Sequence, residues 1–333
     1  MKLSVVIPAY NVEPWIEKTI QDLEVSISNA EIEAEVIVVN DGSTDGTLSV
    51  LNIIKAHSHI PITIIDQSNQ GRFLTRWVGI SEAKYEFVLF LDARVRISSH
   101  SLKYLKSKVV QGNHDVWSGD CITDRTAGIV GHFWEVPTSL FWHRYTAHRK
   151  TVTFGVEDFD QYPKGTGCLF GAKTVLVNAF QNVWPDSDAN AKLVSDDTKV
   201  LRDIAGQVAI RIDPEFRAIY LPRTELFPFL KHSYERGALF VDSYWGTTAA
   251  RSLILCVMAL LPLAFLAFVG FWPIVCLFIV LFSLLIILAR AKLNGASNKS
   301  LRSFLVLVVP FFTCFWAGLV KGLFIKSKRN IRN

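Results

Sequence analysis

Residues 88–97 read VLFLDARVRI, and this stretch decides the fold because a wholly apolar run stops at charged residues. A run such as Val88–Leu91 is typical of a strand that is buried on both faces of a parallel sheet. In open α/β sheets, ligands bind at the carboxyl ends of the strands. Asp92 and Arg94, which follow the run, therefore mark a candidate site that offers both a carboxylate and a cation.

The residues before this strand alternate between strand and helix patterns. Strand patterns cover 3–10 and 62–67, a strand followed by a turn covers 34–46, and helix patterns cover 15–29, 47–57 and 74–83. Three strand–helix–strand repeats predict an α/β fold with a Rossmann-like, mostly parallel, doubly wound sheet. No GxGxxG follows the first strand, which argues against a dinucleotide-binding dehydrogenase.

Polar residues follow three of these strands at the same predicted sheet edge. They are the segment 8–11 (PAYN), Asp41 and Asp92. Turn chemistry alone explains the glycines and hydroxyl residues after Asp41. The three strand ends together predict one elongated ligand along the edge.

The last third of the chain is strongly apolar. For the whole chain, the hydrophobic fraction is 50% and the mean hydropathy is +0.28. No Asp, Glu, Lys or Arg occurs between Ser252 and Ala289, and a single membrane pass needs only about 20 residues. We expect two passes or a deep hairpin that bends between Gly270 and Pro273. A third apolar segment, 303–320, is interrupted by Pro310.

Basic residues flank this third segment on both sides. They are Arg290, Lys292, Lys299 and Arg302 before it, and Lys321, Lys326, Lys328, Arg329 and Arg332 after it. The positive-inside rule places both groups in the cytoplasm, and a single crossing cannot satisfy both. We therefore favour a re-entrant or interfacial third segment over a third full crossing. The net charge of +5 is better explained by anionic lipid than by nucleic acid.

The chain begins with Met1-Lys2 and the short run LSVVIPAY, which is too brief for a signal peptide, so we expect a cytoplasmic N-terminal domain. The five cysteines show no CxxC spacing. We interpret them as reduced packing residues that hold no zinc.

Four motifs, VVIPAYN, VVNDGSTDGT, SNQGRFLTRWVGISEA and FVLFLDAR, resemble in order and spacing the family 2 glycosyltransferases of the GT-A fold. The resemblance covers 1–225 and implies a catalytic domain there. An amphipathic connector (226–250), membrane-associated helices (251–325) and a basic cytoplasmic tail (326–333) would follow it.

The resemblance also implies a nucleotide-sugar site. Its predicted members are Pro8, Ala9, Tyr10 and Glu13 at the base and ribose, Asp41 at the base, Gly71 and Arg76 at the nucleotide and phosphates, and Asp92 at the ribose or a metal. The match departs from the family at Trp77, where Asn is common.

The family usually has a second Asp where this chain has Arg94, and that Asp ligates Mn²⁺ or Mg²⁺. A divalent cofactor is therefore in doubt, and three interpretations stay open. Arg94 could replace the metal at the diphosphate. It could instead point away while Asp92 and the donor diphosphate hold a metal, with or without His232, or it could form a basic rim with Arg96.

On the acceptor side, KGTGCLFG (164–171) resembles the segment beneath the acceptor and includes Gly167. The sequence SDDTKVLR (195–202) resembles the signature whose Asp is the catalytic base. That match assigns the base to Asp197, with Asp196 in the place of the usual Glu. Read as structure alone, both carboxylates would cap a helix.

His232 and Arg236 occupy the place of the Gln-x-x-Arg-Trp motif of processive synthases and are candidate diphosphate or acceptor residues. The Trp of that motif is absent, which argues against a processive polymerase. The aromatic and basic stretch 132–150 is predicted to flank the acceptor cleft, to rest on lipid headgroups or to be a partly buried helix.

These features predict an inverting, multi-pass inner-membrane glycosyltransferase with a cytoplasmic catalytic domain. It would move a sugar, UDP-linked by family habit, to a hydroxyl of a polyprenyl-linked saccharide in polysaccharide assembly. The alternatives are a polyprenyl-phosphate monoglycosyltransferase and a catalytically inactive nucleotide-sugar-binding scaffold. The sequence does not indicate an oligomeric state.

Overall fold

The computed structural model describes residues 1–113, 115–184 and 197–330. Its strands are β1 (Lys2–Ala9), β2 (Glu33–Asp41), β3 (Ile62–Gln67), β4 (Phe87–Leu91), β5 (Val95–Ile97), β6 (Val116–Thr123), β7 (Val152–Phe154), β8 (Cys168–Ala172) and β9 (Ile210–Tyr220). Its α-helices are α1 (Glu13–Ala30), α2 (Thr47–His57), α3 (Arg72–Glu82), α4 (Ser101–Val110), α5 (Glu135–Phe141), α6 (His143–Thr146), α7 (Lys173–Asn182), α8 (Thr198–Gln207), α9 (Leu226–Tyr244), α10 (Ala249–Phe271), α11 (Pro273–Leu293) and α12 (Asn298–Asn330).

The chain forms two compact units. The first comprises Met1–Arg125 and His148–Pro222, and the second comprises Thr126–Ala147 and Arg223–Asn333. The segment 126–147, which lies within the predicted catalytic domain, therefore clusters with the C-terminal helices. All five cysteines are free thiols.

The first unit is built on a mixed sheet whose described strands run in the order β3-β2-β1-β4-β8-β6-β9-β5, with β7 paired to β9. The neighbours from β3 to β4 are parallel, as the strand–helix alternation predicts. Beyond β4 the sheet is mixed, because β8 runs antiparallel to both β4 and β6. The predicted α/β class with a GT-A-type sheet is confirmed.

In the first unit, the buried residues are those that the apolar pattern of the sequence predicts to be buried. Every residue of β4 is buried, as the run Val88–Leu91 predicts for a central strand. Helix α1 buries Ile16, Ile20, Leu23 and Ile27, which recur at helical spacing on one face. Because β1, β2 and β4 are parallel, their carboxyl ends lie at one edge of the sheet. The polar segment 8–11, Asp41 and Asp92 lie at this edge.

The second unit is helical. Helices α10, α11 and the stretch Asn298–Ser327 of α12 are each long and apolar enough to cross a membrane. The turn between α10 and α11 falls at Trp272, inside the predicted bend. The predicted interruption at Pro310 is absent, because α12 continues through this residue. Proline removes one backbone donor, and such a loss is tolerated in apolar helices that pack against neighbours.

The segment 126–147 belongs to this unit through specific contacts. The side chain of Asn294, after α11, donates to the Ser139 carbonyl at 2.9 Å, and the Ser303 hydroxyl on α12 donates to the Ile129 carbonyl. The ring of Phe133 lies 4.7 Å from that of Phe311.

Candidate active site

The turns after β1 and β2 are held together by hydrogen bonds. The backbone N–H of Asn11 donates to the Ser43 hydroxyl at 3.0 Å, and Thr44 N–H donates to the Asn11 side chain at 2.8 Å. The Gly46 N–H donates to a Glu13 carboxylate oxygen at 2.8 Å. Two of the predicted strand ends thus form one rigid edge.

The predicted base and ribose residues lie on this edge with different exposure. Ala9 is buried, whereas the Tyr10 ring is 48% exposed. Pro8 pairs with Val39 in the parallel register and Ala9 pairs with Asn40, so the ends of β1 and β2 are adjacent. Tyr10 can offer an aromatic surface to a flat ligand, while Glu13 mainly fixes the turn.

Asp41 organises the loop that precedes α3. One carboxylate oxygen accepts hydrogen bonds from the Gln67 side chain at 2.7 Å and from Gln70 N–H at 2.8 Å. The other oxygen accepts from Gly71 N–H at 2.9 Å. Gly71 has a φ of 92°, which glycine adopts without strain. Asp41 therefore holds the start of α3 beside the end of β2.

Arg76 and Asp92 form the central ion pair of the edge. Arg76, on α3, is 1% exposed, and its Nη2 lies 2.5 Å from Asp92 Oδ1. Asp92 remains 37% exposed. Because a buried guanidinium needs a compensating charge, this pair fixes the Asp92 side chain next to the strand end.

Gly167 packs against the same carboxylate. Its carbonyl accepts the Asp92 N–H at 2.8 Å. A Cβ atom at this position would lie 2.8 Å from Asp92 Oδ2, so a side chain would displace Asp92. The glycine-rich segment 164–167 therefore lies against the predicted donor site.

Asp197 is held by the residue before Gly167. Its Oδ1 accepts the Thr166 N–H at 2.8 Å and also the Thr166 hydroxyl. Asp197 is the N-cap residue immediately before α8, but its side chain makes no capping hydrogen bond there. The Asp197 carboxylate therefore binds Thr166 and does not cap the helix.

Electrostatics keep Asp197 ionised. Burial by itself would raise the pKa of Asp197, but the positive charges of Arg76 and Arg72 and the hydrogen bonds from Thr166 hold this pKa below its ordinary value. A carboxylate with a lowered pKa is charged at neutral pH and can accept a proton. Its predicted partner Asp196 lies outside the described residues.

The Arg94 guanidinium stacks on aromatic rings beside the end of β4. It lies 4.4 Å from the ring centre of Trp15 on α1 and 6.0 Å from that of Tyr220 on β9. Arg96, two residues on, lies 2.5 Å from Asp22 of α1. Both arginines therefore face groups on α1.

The end of β4 does not fit a divalent cation held by protein carboxylates. Arg94 stands at the second acidic position, and one oxygen of Asp92 is taken by Arg76. Among the described residues, no three His, Cys, Asp or Glu side chains come together in a way that suits a metal. The charges that surround Asp197 come from Arg72 and Arg76.

His232 and Arg236 lie on α9 in the second unit. The Nε of Arg236 donates to His232 Nε2 at 3.0 Å, and the guanidinium lies 4.3 Å from the Trp134 ring centre. The Nε2 atom of His232, a candidate metal ligand, is therefore already a hydrogen-bond acceptor.

Sequence reasoning missed Thr166 and Arg72. Thr166 is fully buried, and its place between two glycines in KGTG was the available signal. Arg72 opens α3 one turn before Arg76, so the same helix face carries both cations toward the site.

The mixed sheet and the acidic and basic groups at its edge define a GT-A-type glycosyltransferase domain. Residues 4–171 match the family model described as "Glycosyl transferase family 2". The chain belongs to this family, whose enzymes invert the anomeric centre.

Several named relatives are similar over part of the chain. The poly(ribitol-phosphate) beta-N-acetylglucosaminyltransferase TarS of Staphylococcus aureus is 30% identical over 141 residues, which are 42% of this chain and 23% of TarS. The GalNAc(5)-diNAcBac-PP-undecaprenol beta-1,3-glucosyltransferase of Campylobacter jejuni is 32% identical over 134 residues, which are 40% of this chain and 42% of that protein. The chain thus spans less than half the length of these two relatives.

A solved structure supports the fold. The crystal structure of S. aureus TarS 1–349 in complex with UDP-GlcNAc aligns with a TM-score of 0.52 and 17% identity. The alignment covers 96% of this chain and 90% of that one.

Proposed function

We propose that this protein transfers a sugar from a nucleotide-sugar, specifically a UDP-sugar, to a hydroxyl group of a lipid-linked saccharide during polysaccharide assembly. The observation that carries the proposal is the placement of Asp197. Its carboxylate is held by Thr166, is kept charged by Arg76 and Arg72, and belongs to the same network as Asp92.

Asp197 is the catalytic base in this mechanism. A sugar hydroxyl is a weak nucleophile, and a positioned carboxylate that accepts its proton contributes about 100- to 10,000-fold in rate. The hydroxyl attacks the anomeric carbon in line while the nucleoside diphosphate leaves. One displacement without a covalent intermediate inverts the anomeric centre.

The leaving diphosphate develops negative charge that the site must offset. Arg76 and Arg72 supply positive charge beside Asp197. Arg94 adds a third cation near the end of β4, stacked on Trp15. Arginine suits this role because its planar guanidinium binds phosphate oxygens through two parallel hydrogen bonds.

The donor lies along the joined turns of β1 and β2, with Tyr10 against the base and Asp41 behind it. The UDP and UDP-GlcNAc complexes of S. aureus TarS, which shares the fold, support a uridine donor.

The acceptor is a lipid-linked saccharide at the cytoplasmic face of a membrane. Three helices are long and apolar enough to cross a bilayer, and the C. jejuni relative is named for an undecaprenol-linked substrate. A transferase that is tethered at the membrane gains effective concentration toward such an acceptor. A polyprenyl phosphate acceptor is already charged and needs no base, so the held carboxylate of Asp197 favours a hydroxyl.

The test compares Asp197→Asn with Asp203→Asn in membrane-reconstituted protein. Asp203 lies on the same helix and contacts Asn182 and Gln207, which provides a matched control. A panel of UDP-sugars is offered with a diphosphate-linked polyprenyl saccharide, with polyprenyl phosphate or with no acceptor. We expect saccharide-dependent UDP release that falls at least about 100-fold in Asp197→Asn and is unchanged in Asp203→Asn.

Two outcomes would contradict the proposal. Turnover on polyprenyl phosphate alone, retained in Asp197→Asn, would indicate the monoglycosyltransferase. UDP-sugar binding without turnover on any acceptor would indicate the inactive scaffold.

A further inference from the structure

Helix α12 and helix α9 run side by side in the same direction. Phe229, near the start of α9, and Phe311, near the middle of α12, have ring centres 6.3 Å apart. Near their end, Lys326 forms an ion pair with Asp242 at 2.7 Å. Between these points Gly237 packs on the backbone of Leu319. The C-terminal half of α12 is therefore covered by α9 along its length.

The covering helix carries exposed charges. Lys231, Glu235 and Arg236 on α9 are all exposed. If α12 crossed the bilayer upright, these charges would lie beside its hydrocarbon-embedded part. A charged side chain costs about 2.5–3.5 kcal/mol at the centre of a membrane helix, so this arrangement is strongly disfavoured.

Contacts with α10 give an independent geometric argument. Leu319 of α12 and Leu255 of α10 share one buried cluster. At a rise of about 1.5 Å per residue, Leu319 lies about 31 Å from the first residue of α12, whereas Leu255 lies about 9 Å from the first residue of α10. Two upright helices that entered from the same side would not bring these depths together.

The start of α12 contacts the opposite arm of the hairpin. Phe304 and Leu307 share a buried cluster with Ala291, near the end of α11. A single residue, Trp272, joins α10 and α11. If these helices form a hairpin that crosses the membrane twice, the end of α11 and the start of α10 face the same side. Helix α12 thus passes from one of these ends to the other.

We propose that α12 lies in the plane of the cytoplasmic headgroup layer and binds the bilayer surface through its uncovered face. The inference rests on the proposed membrane placement of the α10–α11 hairpin. Exposed apolar residues recur on this face at helical spacing: Leu305, Val309, Phe312, Val320 and Phe324. The partner is an anionic lipid surface, because the chain has no acidic residue after Asp242 and ten basic ones.

This placement resolves the conflict in the charge pattern. With α12 in the plane, the loop from Arg290 to Arg302 and the tail after Lys321 both stay on the cytoplasmic side, as the positive-inside rule requires. The hairpin then provides two crossings, and α12 provides none.

The first experiment measures sidedness in the full-length protein. A short epitope is inserted at the turn after Trp272 or appended after Asn333, and antibody access is compared in intact and permeabilised bacterial spheroplasts. We expect the turn epitope to be accessible in intact spheroplasts and the C-terminal epitope only after permeabilisation. A C-terminal epitope that is accessible in intact spheroplasts would show that α12 crosses and would overturn the inference.

The second experiment measures depth. An environment-sensitive fluorescent amino acid replaces Leu305, Phe312 or Phe324, and quenching by lipids with shallow or deep nitroxides is compared with that at Phe282 of α11. We expect uniformly shallow positions on α12 and a deep position at Phe282. A Phe312 probe as deep as the Phe282 probe would exclude an in-plane helix. A shallow Phe282 probe would instead refute the spanning hairpin, and with it the membrane part of the proposed function.

Discussion

The sheet edge around Asp92 and the contact between α9 and α12 are held together in opposite ways. At the edge, order comes from charged and polar partners, such as the buried Arg76 that binds Asp92. Between the helices, close packing depends on glycines, because a residue with no side chain lets the two backbones approach each other. A Cβ on Gly318 would lie 1.9 Å from the Tyr234 carbonyl oxygen. The first region is therefore sensitive to loss of a group, and the second to gain of one.

The largest expected effect comes from removing the buried cation of the edge. Arg76→Met leaves Asp92 and Asp197 without their shared positive charge. Breaking a buried pair costs about 3–5 kcal/mol, and we expect the lower end because Asp92 is 37% exposed. Thermal unfolding and transferase assays measure this, and we expect activity to be lost.

Arg96→Met is the matched control, because the Arg96 side chain, which pairs with Asp22, is 28% exposed whereas Arg76 is 1% exposed. We expect it to cost about 1 kcal/mol or less. Equal losses for the two variants would refute the special role of the edge pair.

The helix contact is tested by adding one methyl group. Gly318→Ala forces α9 and α12 apart, and overpacking of this kind costs about 1–3 kcal/mol, occasionally more. Gly270→Ala is the control, since a Cβ there meets open space. Thermal unfolding in detergent should fall for the first variant and hold for the second. A stable Gly318→Ala protein would mean that the close crossing is not formed.

A smaller, more specific effect is expected at Thr166. Its hydrogen bonds favour the charged form of Asp197 and help to lower the pKa of that carboxyl group. Thr166→Val removes the hydroxyl donor, so the pKa rises and Asp197 becomes protonated at a higher pH than in the wild type. The acidic limb of kcat/KM should therefore move upward by about one pH unit, which corresponds to about 1.4 kcal/mol. Thr166→Ser should restore the original profile, whereas a limb that does not move in Thr166→Val would remove this residue from the control of Asp197.

The same contrast explains what the sequence could predict. Periodicity gave β3 at 62–67 and α2 at 47–57 with the bounds that the structure has, because each element obeys one local pattern. The place of Asp197 followed from a motif, but its hydrogen bond to Thr166 joins residues 31 positions apart, and no local pattern reports that. The packing of 126–147 with α11 and α12 is equally non-local. The continuity of α12 through Pro310 depends on neighbouring helices, so the local rule for proline predicted a break that is not there.

The smallest effect, no change at all, is expected from removal of metal. Because Arg94 occupies the second acidic position and Arg76 already pairs with Asp92, UDP binding by the wild type should have equal affinity in EDTA and in Mn²⁺ or Mg²⁺. Arg94→Asp removes the cation over Trp15 and places a second carboxylate two residues after Asp92. This variant should bind UDP weakly in EDTA and recover affinity as Mn²⁺ is titrated, because the cation then offsets the diphosphate charge. Calorimetric titration of both proteins decides the point, and a wild type that needs Mn²⁺ would show that Asp92 and the diphosphate hold a metal despite the arginine.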